Sequence, residues 1–215
     1  MDQPVLPLGA PRAERADAAR NRRHLLEVAR EMLAEDGADK LTMDALAERA
    51  GLGKGTVFRR FGSRAGIFQA LLDDDERAFQ QQVLAGPPPL GPGAGPLDRL
   101  VAYGRARTGF LVGHCEIARA ALDGSQPVPA GARAPISQVH IRMLLGQLSL
   151  GPGSLGPADL DLLAVRLAAA LDAPLLLYLS SYDLDADVAG TEERLADSWE
   201  DLVRRVGRPA SCAPE

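Results

Sequence analysis

The 215-residue sequence predicts an all-α protein of about nine helices, and three observations carry that prediction. Apolar residues recur at helical spacing through most of the chain, and no segment shows the strict alternation of a half-buried strand. Aromatic residues make up only 4% of the chain and β-branched runs are scarce, so the core must be built from Leu, Ala and Val, which favours helices. The composition, 46% hydrophobic and 25% charged, is that of an ordinary globular protein, and the length allows one or two domains with a real core. No 20–50-residue period recurs, so a repeat solenoid is not expected.

The elements follow in order. Residues 1–18 are rich in Pro and charge without a sustained period and are expected to form a flexible arm. Leu25, Val28, Ala29, Met32 and Leu33 then make one apolar stripe, with Arg22, Arg23, Glu27, Arg30 and Glu31 outside it and Gly37 as the expected stop. Thr42 offers a hydroxyl N-cap to a short helix whose inner face is Met43, Leu46, Ala47 and Ala50. Gly51-Leu52-Gly53 breaks that helix, and a third runs from Lys54 to Phe61. Gly62-Ser63 separates it from a fourth that starts near Arg64, passes through Ile67, Phe68, Leu71 and Leu72, and ends before Gly86. The stretch GPPPLGPGAGP, residues 86–96, cannot be helical. Further helices are predicted over about 97–112, 114–122, 135–149, 157–181 and 188–206, with Pro174 as the place where the longest would kink.

Several classes drop out. Cys115 and Cys212 stand 97 positions apart and make neither a disulfide framework nor a thiolate-rich metal site. The first 20 residues hold no continuous apolar stretch of the secretory kind, and Ala164–Ser181 carries Arg166, Asp172 and Pro174, unlike a membrane span. A cytoplasmic protein without a membrane partner is expected. Gly51-Leu52-Gly53-Lys54-Gly55-Thr56 is not a phosphate-binding loop, because Gly55 stands where Ser or Thr must follow the Lys and Glu48 where the first Gly must be. Cys115 with His114 or His140 is the one nucleophile-and-base pairing to weigh; His114 is its chain neighbour, and adjacent helical side chains diverge. His24, His114, Cys115 and His140 lack metal-ligand spacing. No enzyme activity, cofactor or metal is expected.

Two short helices joined by Gly51-Leu52-Gly53, the second of them basic, match a helix-turn-helix over residues 42–61, in which the second helix enters the DNA major groove. The net charge of -5 argues against such a partner until it is divided. Residues 1–64 hold 12 basic and 10 acidic side chains, residues 65–215 hold 12 and 19. No acidic residue occurs between Glu48 and Asp73, whereas Arg49, Lys54, Arg59, Arg60 and Arg64 all lie there. A basic tip on an acidic body is the footprint of local DNA binding. Gly51 is expected in the turn conformation with φ > 0, and Gly55 lets the backbone approach base edges. Lys54 and Arg59 are the candidate base readers, since a lysine can donate to guanine O6 and N7. Phe58, Phe61 and Phe68 are expected to pack in the small core; Arg49 is expected to be a surface charge, and Arg22 and Arg23, at the start of the first helix, either touch the DNA backbone or are surface charges.

The stretch LTMDALAERAGLGKGTVFRRFGSRAGIFQALL resembles the N-terminal domain of the TetR family of transcriptional regulators, over about residues 19–79. Gly37, Leu41-Thr42-Met43, Ala47, Gly51, Lys54-Gly55-Thr56, Phe58 and Phe61 agree with it in register. The resemblance implies a DNA-binding domain at 19–79 and a helical ligand-binding and dimerisation domain at 80–215. It places Thr42, Thr56, Phe58, Arg60 and Arg64 where the family grips phosphates, contacts that fix register without reading sequence. There are three departures. Phe58 replaces the usual tyrosine, which removes a hydrogen bond worth about 1–2 kcal/mol. Gly53 replaces the usual N-cap serine. Asp44 holds a position some relatives use for DNA, and is expected to accept from cytosine N4 or face solvent.

One short helix buries too little for specific affinity, so a homodimer reading a palindromic operator of double-stranded DNA is expected. Surplus apolar positions on the last two helices are Leu162, Leu163, Leu167, Leu171, Leu175 and Leu179, then Leu195, Trp199, Leu202 and Val206. The resemblance implies that such helices form the dimer interface, with Leu171, Leu175, Leu179, Leu195, Trp199 and Leu202 as its candidates. Tyr103, Arg107, Phe110, His114, His140, Met143 and Tyr178 put polar tips on mainly apolar stretches and are the candidate lining of a pocket for an unknown small-molecule effector. The expected function is a transcriptional repressor released by that effector; the alternative is a helical ligand-binding or protein-interaction module without DNA binding.

Overall fold

The computed structural model describes residues 12–122, 135–148, 156–180 and 188–207, with side chains described over 16–122, 136–148, 156–173 and 191–207. These residues form nine α-helices and no strand: α1 (Arg12–Asp36), α2 (Met43–Arg49), α3 (Lys54–Phe61), α4 (Arg64–Ala85), α5 (Pro96–Gly113), α6 (Cys115–Ala120), α7 (Pro135–Gly146), α8 (Pro157–Ser180) and α9 (Val188–Val206). The chain divides into two compact units, Met1–Leu71 and Leu72–Glu215, so α4 gives its first turns to one and the remainder to the other. No helix among the described residues is long and apolar enough to cross a membrane.

Helix α1 starts earlier than its apolar stripe. Residues 12–18, expected in the arm, are helical. Arg, Ala and Glu are strong helix formers, and Arg20 pairs with Asp17 one turn away, so the segment extends the helix without an apolar face. Residues 1–11 lie outside the described residues. The apolar stripe itself faces inward: Leu25, Leu26, Val28, Ala29 and Met32 are buried together with Leu41, Leu46, Ala47, Val57, Phe61, Ile67 and Phe68. Thr42 caps α2, its Oγ1 accepting from the Ala45 amide at 3.1 Å, and the Ser63 Oγ accepts from the Gly66 amide at 3.1 Å at the start of α4.

In the second unit α5 is the hub. It packs against α6, α7, α8 and α9, while α7 and α6 also pack on α8. Leu100, Tyr103, Ile141, Leu144, Leu145, Ala164, Leu167, Leu171, Trp199 and Val203 form one continuous core. The approach of α9 to α5 depends on Gly104. A β-carbon there would overlap the Trp199 indole, whose Nε1 donates to the Leu100 carbonyl at 3.0 Å. At the edge of the same contact Arg105 of α5 reaches Asp197 at 2.7 Å, Glu193 at 2.8 Å and Glu200 at 3.3 Å on α9.

This packing changes the reading of several residues. Leu171 and Trp199, expected between two copies of the chain, are buried in its own core at 5% and 4% exposure. The indole is consumed by Gly104 and the Leu100 carbonyl, which leaves nothing of it for a partner. Leu195 is half-buried, and Leu202 is exposed. The side chains of Leu175 and Leu179, like that of Pro174, lie outside the described residues, although the backbone helix of α8 runs on to Ser180. Cys115 is buried, and Cys212 lies outside the described residues.

The seat of Trp199 supplies a stability test. Gly104→Ala is expected to lower the free energy of unfolding by about 1–3 kcal/mol, the usual cost of overpacking a tight core. The check is the urea midpoint of the variant followed by far-UV circular dichroism.

Candidate nucleic-acid interface and ligand cavity

Helix α3 is amphipathic over two turns. Val57 and Phe61, one turn apart, face inward and are buried, while Lys54, Gly55, Phe58 and Arg59 share the opposite face and together line one open surface depression. The turn before it is set by Gly51, which takes φ 64 as expected and is the pivot between α2 and α3. Gly53 precedes α3 without a side-chain cap. A β-carbon at Gly55 would meet no atom of the chain, so internal packing does not require glycine there.

Phe58 departs from the packing expectation. It is 63% exposed on the same face as Lys54 and Arg59, whereas Phe61 and Phe68 are buried. The reason is register: positions 57 and 61 already fill the inward side of this short helix, and 58 falls beyond it. Lys54 Nζ lies 2.8 Å from Asp44 on α2, an exposed ion pair that ties the two helices of the motif. Asp44 is thus paired within the chain.

The arginines divide by partner. Arg59 and Arg60 are exposed near the end of α3. Arg49 turns back to Glu35 and Asp36 at the end of α1, which hold its guanidinium above the ordinary arginine range. Arg22 lies over the Phe61 ring at 5.7 Å. Arg64 is half-buried: its Nε donates to the Leu41 carbonyl at 2.8 Å, an Nη donates to the Ala38 carbonyl at 2.6 Å, and the guanidinium lies 4.9 Å from the centre of the Phe68 ring. These bonds fix the single 3₁₀ turn, Ala38–Lys40, that leads into α2. Thr42 is exposed and Thr56 half-buried. The capping bond uses a lone pair of Thr42 and leaves its hydroxyl proton free to donate.

The second unit holds a cavity of about 510 Å³ lined from α4, α5 and α7, within the range of small-molecule sites. Phe79, Val83, Leu84, Pro92, Ile136, Val139 and Met143 supply apolar walls; Glu76, Gln80, Arg99, Tyr103 and His140 supply polar groups. Of the residues expected in a pocket, Tyr103, His140 and Met143 line it. Arg107, Phe110 and His114 do not, and the Tyr178 side chain lies outside the described residues. Arg107 is 1% exposed, paired with Glu76 at 2.5 Å, and its guanidinium lies 5.6 Å and 5.0 Å from the ring centres of Phe79 and Phe110. His114 stacks on Phe110 at 4.2 Å, and its two ring nitrogens face the Phe110 carbonyl at 2.7 Å and Asp75 at 3.2 Å. Burial raises the Asp172 carboxyl above its usual range. Burial also raises the Tyr103 phenol, although its hydroxyl donates to the Ser137 Oγ at 2.7 Å.

His140 is 6% exposed, packs its ring 4.8 Å from that of Tyr103, and has no hydrogen-bond partner for Nε2 among the described residues. Burial, reinforced by the charge of Arg99, pushes its pKa down to about 4. Sequence reasoning missed Arg99. Its signal was the i, i+4, i+8 spacing of Arg99, Tyr103 and Arg107 on one face of α5. No group of His, Cys, Asp and Glu able to hold a metal occurs among the described residues.

Two outcomes follow from these environments. Arg64→Ala should destabilise the protein by about 1–3 kcal/mol, read as a lower melting temperature, because two bonds from a charged donor are lost. The folded protein keeps His140 neutral to about pH 4, whereas an unfolded chain protonates it near 6.5, so unfolding takes up a proton between those values and stability falls as the pH drops through that window. Urea midpoints across that range should show His140→Gln with a flatter pH dependence than the parent, by at most about 1.4 kcal/mol per pH unit.

Comparison with known proteins finds relatives for part of the chain and for its fold. Residues 25–71 match the family of bacterial regulatory proteins named tetR. A DNA-binding transcriptional repressor TetR from Mycobacteroides abscessus is 37% identical over 59 residues, 27% of this chain and 31% of that protein. An HTH-type transcriptional regulator of Staphylococcus aureus is 29% identical over 68 residues, 32% of this chain and 37% of that protein. The aligned part of this chain thus spans 31% and 37% of the length of these curated relatives. Among solved structures, Thermus thermophilus FadR, a TetR-family transcriptional repressor in complex with lauroyl-CoA, superposes with a TM-score of 0.61 at 19% identity, over 90% of this chain and 98% of that one. A TetR/AcrR-family regulator from Thermobifida fusca superposes with a TM-score of 0.56 at 18% identity, over 85% and 97% of the two chains. Residues 25–71 are thus similar to the bacterial regulatory proteins of the tetR family, and the helical fold is similar to that of solved TetR-family regulators.

Proposed function

We propose that this protein is a transcriptional repressor that binds a palindromic DNA operator as a homodimer and is released by a small molecule held in its second unit. The observation that carries the reading is the outer face of α3. Lys54, Gly55, Phe58 and Arg59 stand there together, none of them buried, in a stretch of chain without acidic residues. An exposed aromatic beside two cations, on a helix short enough to lie in a major groove, has no role in holding the fold.

Lys54 and Arg59 read base edges, with Gly55 allowing the helix to come close. Lys54 exchanges its exposed bond to Asp44 for guanine at little cost, since such a pair is weak in water. Thr42, Thr56 and Arg60 hold phosphates. Phe58 lacks a hydroxyl and makes apolar contact with a sugar or a thymine methyl. Arg64, bonded to the Leu41 and Ala38 carbonyls, supports the entry to α2 as well as adding positive charge. Leu162 and Val165 on α8 and Leu202 on α9 are large apolar side chains exposed at 57%, 46% and 40%, and supply a surface for the second copy. The ligand acts by binding more tightly to a state whose recognition helices are wrongly spaced for DNA, and operator affinity falls by that differential affinity.

A selection of operators from a randomised duplex library tests the reading, with binding measured over a range of salt concentrations. Lys54→Ala should change which sequences are preferred. Arg60→Ala should weaken all sequences alike and reduce the slope of log affinity against log salt by about one. Absence of any retarded complex at low salt, with the protein folded, would overturn DNA binding. Leu162→Glu with Leu202→Glu should yield a monomer in sedimentation velocity; a dimer unaffected by both changes would place the interface elsewhere.

A further inference from the structure

The cavity of the second unit has an uneven polar lining. Glu76 is already satisfied, its Oε2 by Arg107 at 2.5 Å and its Oε1 by the Gln80 amide at 3.1 Å. The Tyr103 hydroxyl is spent on Ser137. What remains is Arg99, whose Nε is buried without a hydrogen-bond partner among the described residues, and His140, whose Nε2 is buried and likewise without one. Both line the same cavity. Glu76 and Arg107 cancel each other's charge, which leaves Arg99 as the uncancelled charge among the lining side chains described. Arg107 Nε is unpartnered too, but Arg107 does not line the cavity. Unsatisfied buried nitrogens on lining residues are costly to the folded protein, and such groups are ordinarily paired.

We infer that the cavity binds a small apolar monoanion, a monocarboxylic acid whose carboxylate is held by Arg99 and by His140 Nε2 and whose hydrocarbon body lies against Phe79, Val83, Ile136 and Met143. This deepens the proposed function, resting on its claim that the second unit holds a ligand. A carboxylate takes parallel hydrogen bonds from a guanidinium, and a neutral imidazole donates a further one without adding charge. Arg99 is the lining cation that no carboxylate of the lining engages, and a single guanidinium suits a single carboxylate. The exposed apolar side chains of Leu84, Ile136, Val139 and Met143 on the lining give the hydrocarbon part its surface.

The test is calorimetric titration of the full chain, without DNA, using octanoate and 3-phenylpropionate, each paired with its alcohol, 1-octanol and 3-phenylpropan-1-ol. At least one acid should bind about ten-fold or more tightly than its alcohol, as expected for a charge-assisted pair. Arg99→Met should abolish that preference while alcohol binding changes little, and Arg99→Lys should retain most of it. Binding of neither acid, equal binding of acid and alcohol, or a preference that survives Arg99→Met would overturn the proposal. Should Arg99→Met fail to fold, loss of preference in His140→Phe with retention in His140→Gln decides the same point. Operator retardation in the presence of the bound acid separates this proposal from the one it rests on. An acid that binds without releasing DNA removes ligand release and leaves the cavity assignment standing. Release by a neutral compound alone, with neither acid binding, removes the cavity assignment and leaves the regulator standing.

Discussion

The ion pair between Arg107 and Glu76 is the interaction on which the second unit turns. Helix α5 is enclosed by α6, α7, α8 and α9, yet it carries an arginine at 1% exposure. An unpaired guanidinium at that depth would cost several kcal/mol. Glu76 at 2.5 Å removes the charge problem, and the neighbouring rings of Phe79 and Phe110 add cation–π contact. Settling that pair leaves Glu76 unable to act as a free anion toward the cavity. Arg99 is therefore the lining cation left without a carboxylate partner.

The same economy governs the closure of α5 on α9. A single tryptophan serves the whole chain, and it is placed where glycine allows the two backbones to approach and a carbonyl accepts its indole proton. Among the described residues, Phe61, Phe68, Phe79, Tyr103, Phe110 and Trp199 each have a specific neighbour. Phe58 is the exception. It stands exposed among cations on α3, and a fold with so little aromatic surface to spare has no internal use for it there.

Much of the first unit was legible in the sequence because its determinants are local. The stripe from Leu25 to Met32, the Thr42 cap and the positive φ of Gly51 each depend on neighbours a few positions away. The basic face of α3 was legible for the same reason, since 54, 55, 58 and 59 fall together on any α-helix. What escaped were pairings across the chain. Arg64 looks like one more cation in a basic run until the Ala38 and Leu41 carbonyls are brought beside it. Trp199 and Leu171 look like spare apolar surface on amphipathic helices, and only Gly104 and the packed core around them show that they are already covered. Arg99 drew no notice because a lone arginine in α5 is ordinary until His140, 41 positions later, lines the same cavity.

The sequence by itself determined the helices, their breaks and the separation of charge between a basic α3 and an acidic body, because helical period, capping and composition act over a few residues at a time. The tertiary structure decided which polar groups are consumed and which are left over. That difference is not written in any one segment. It depends on which of the acceptors scattered through the chain arrive within hydrogen-bond distance of each donor, and here they reach an Nη of Arg107, the Tyr103 hydroxyl and the Trp199 indole while leaving Nε of Arg99 and of Arg107 and Nε2 of His140 without one among the described residues.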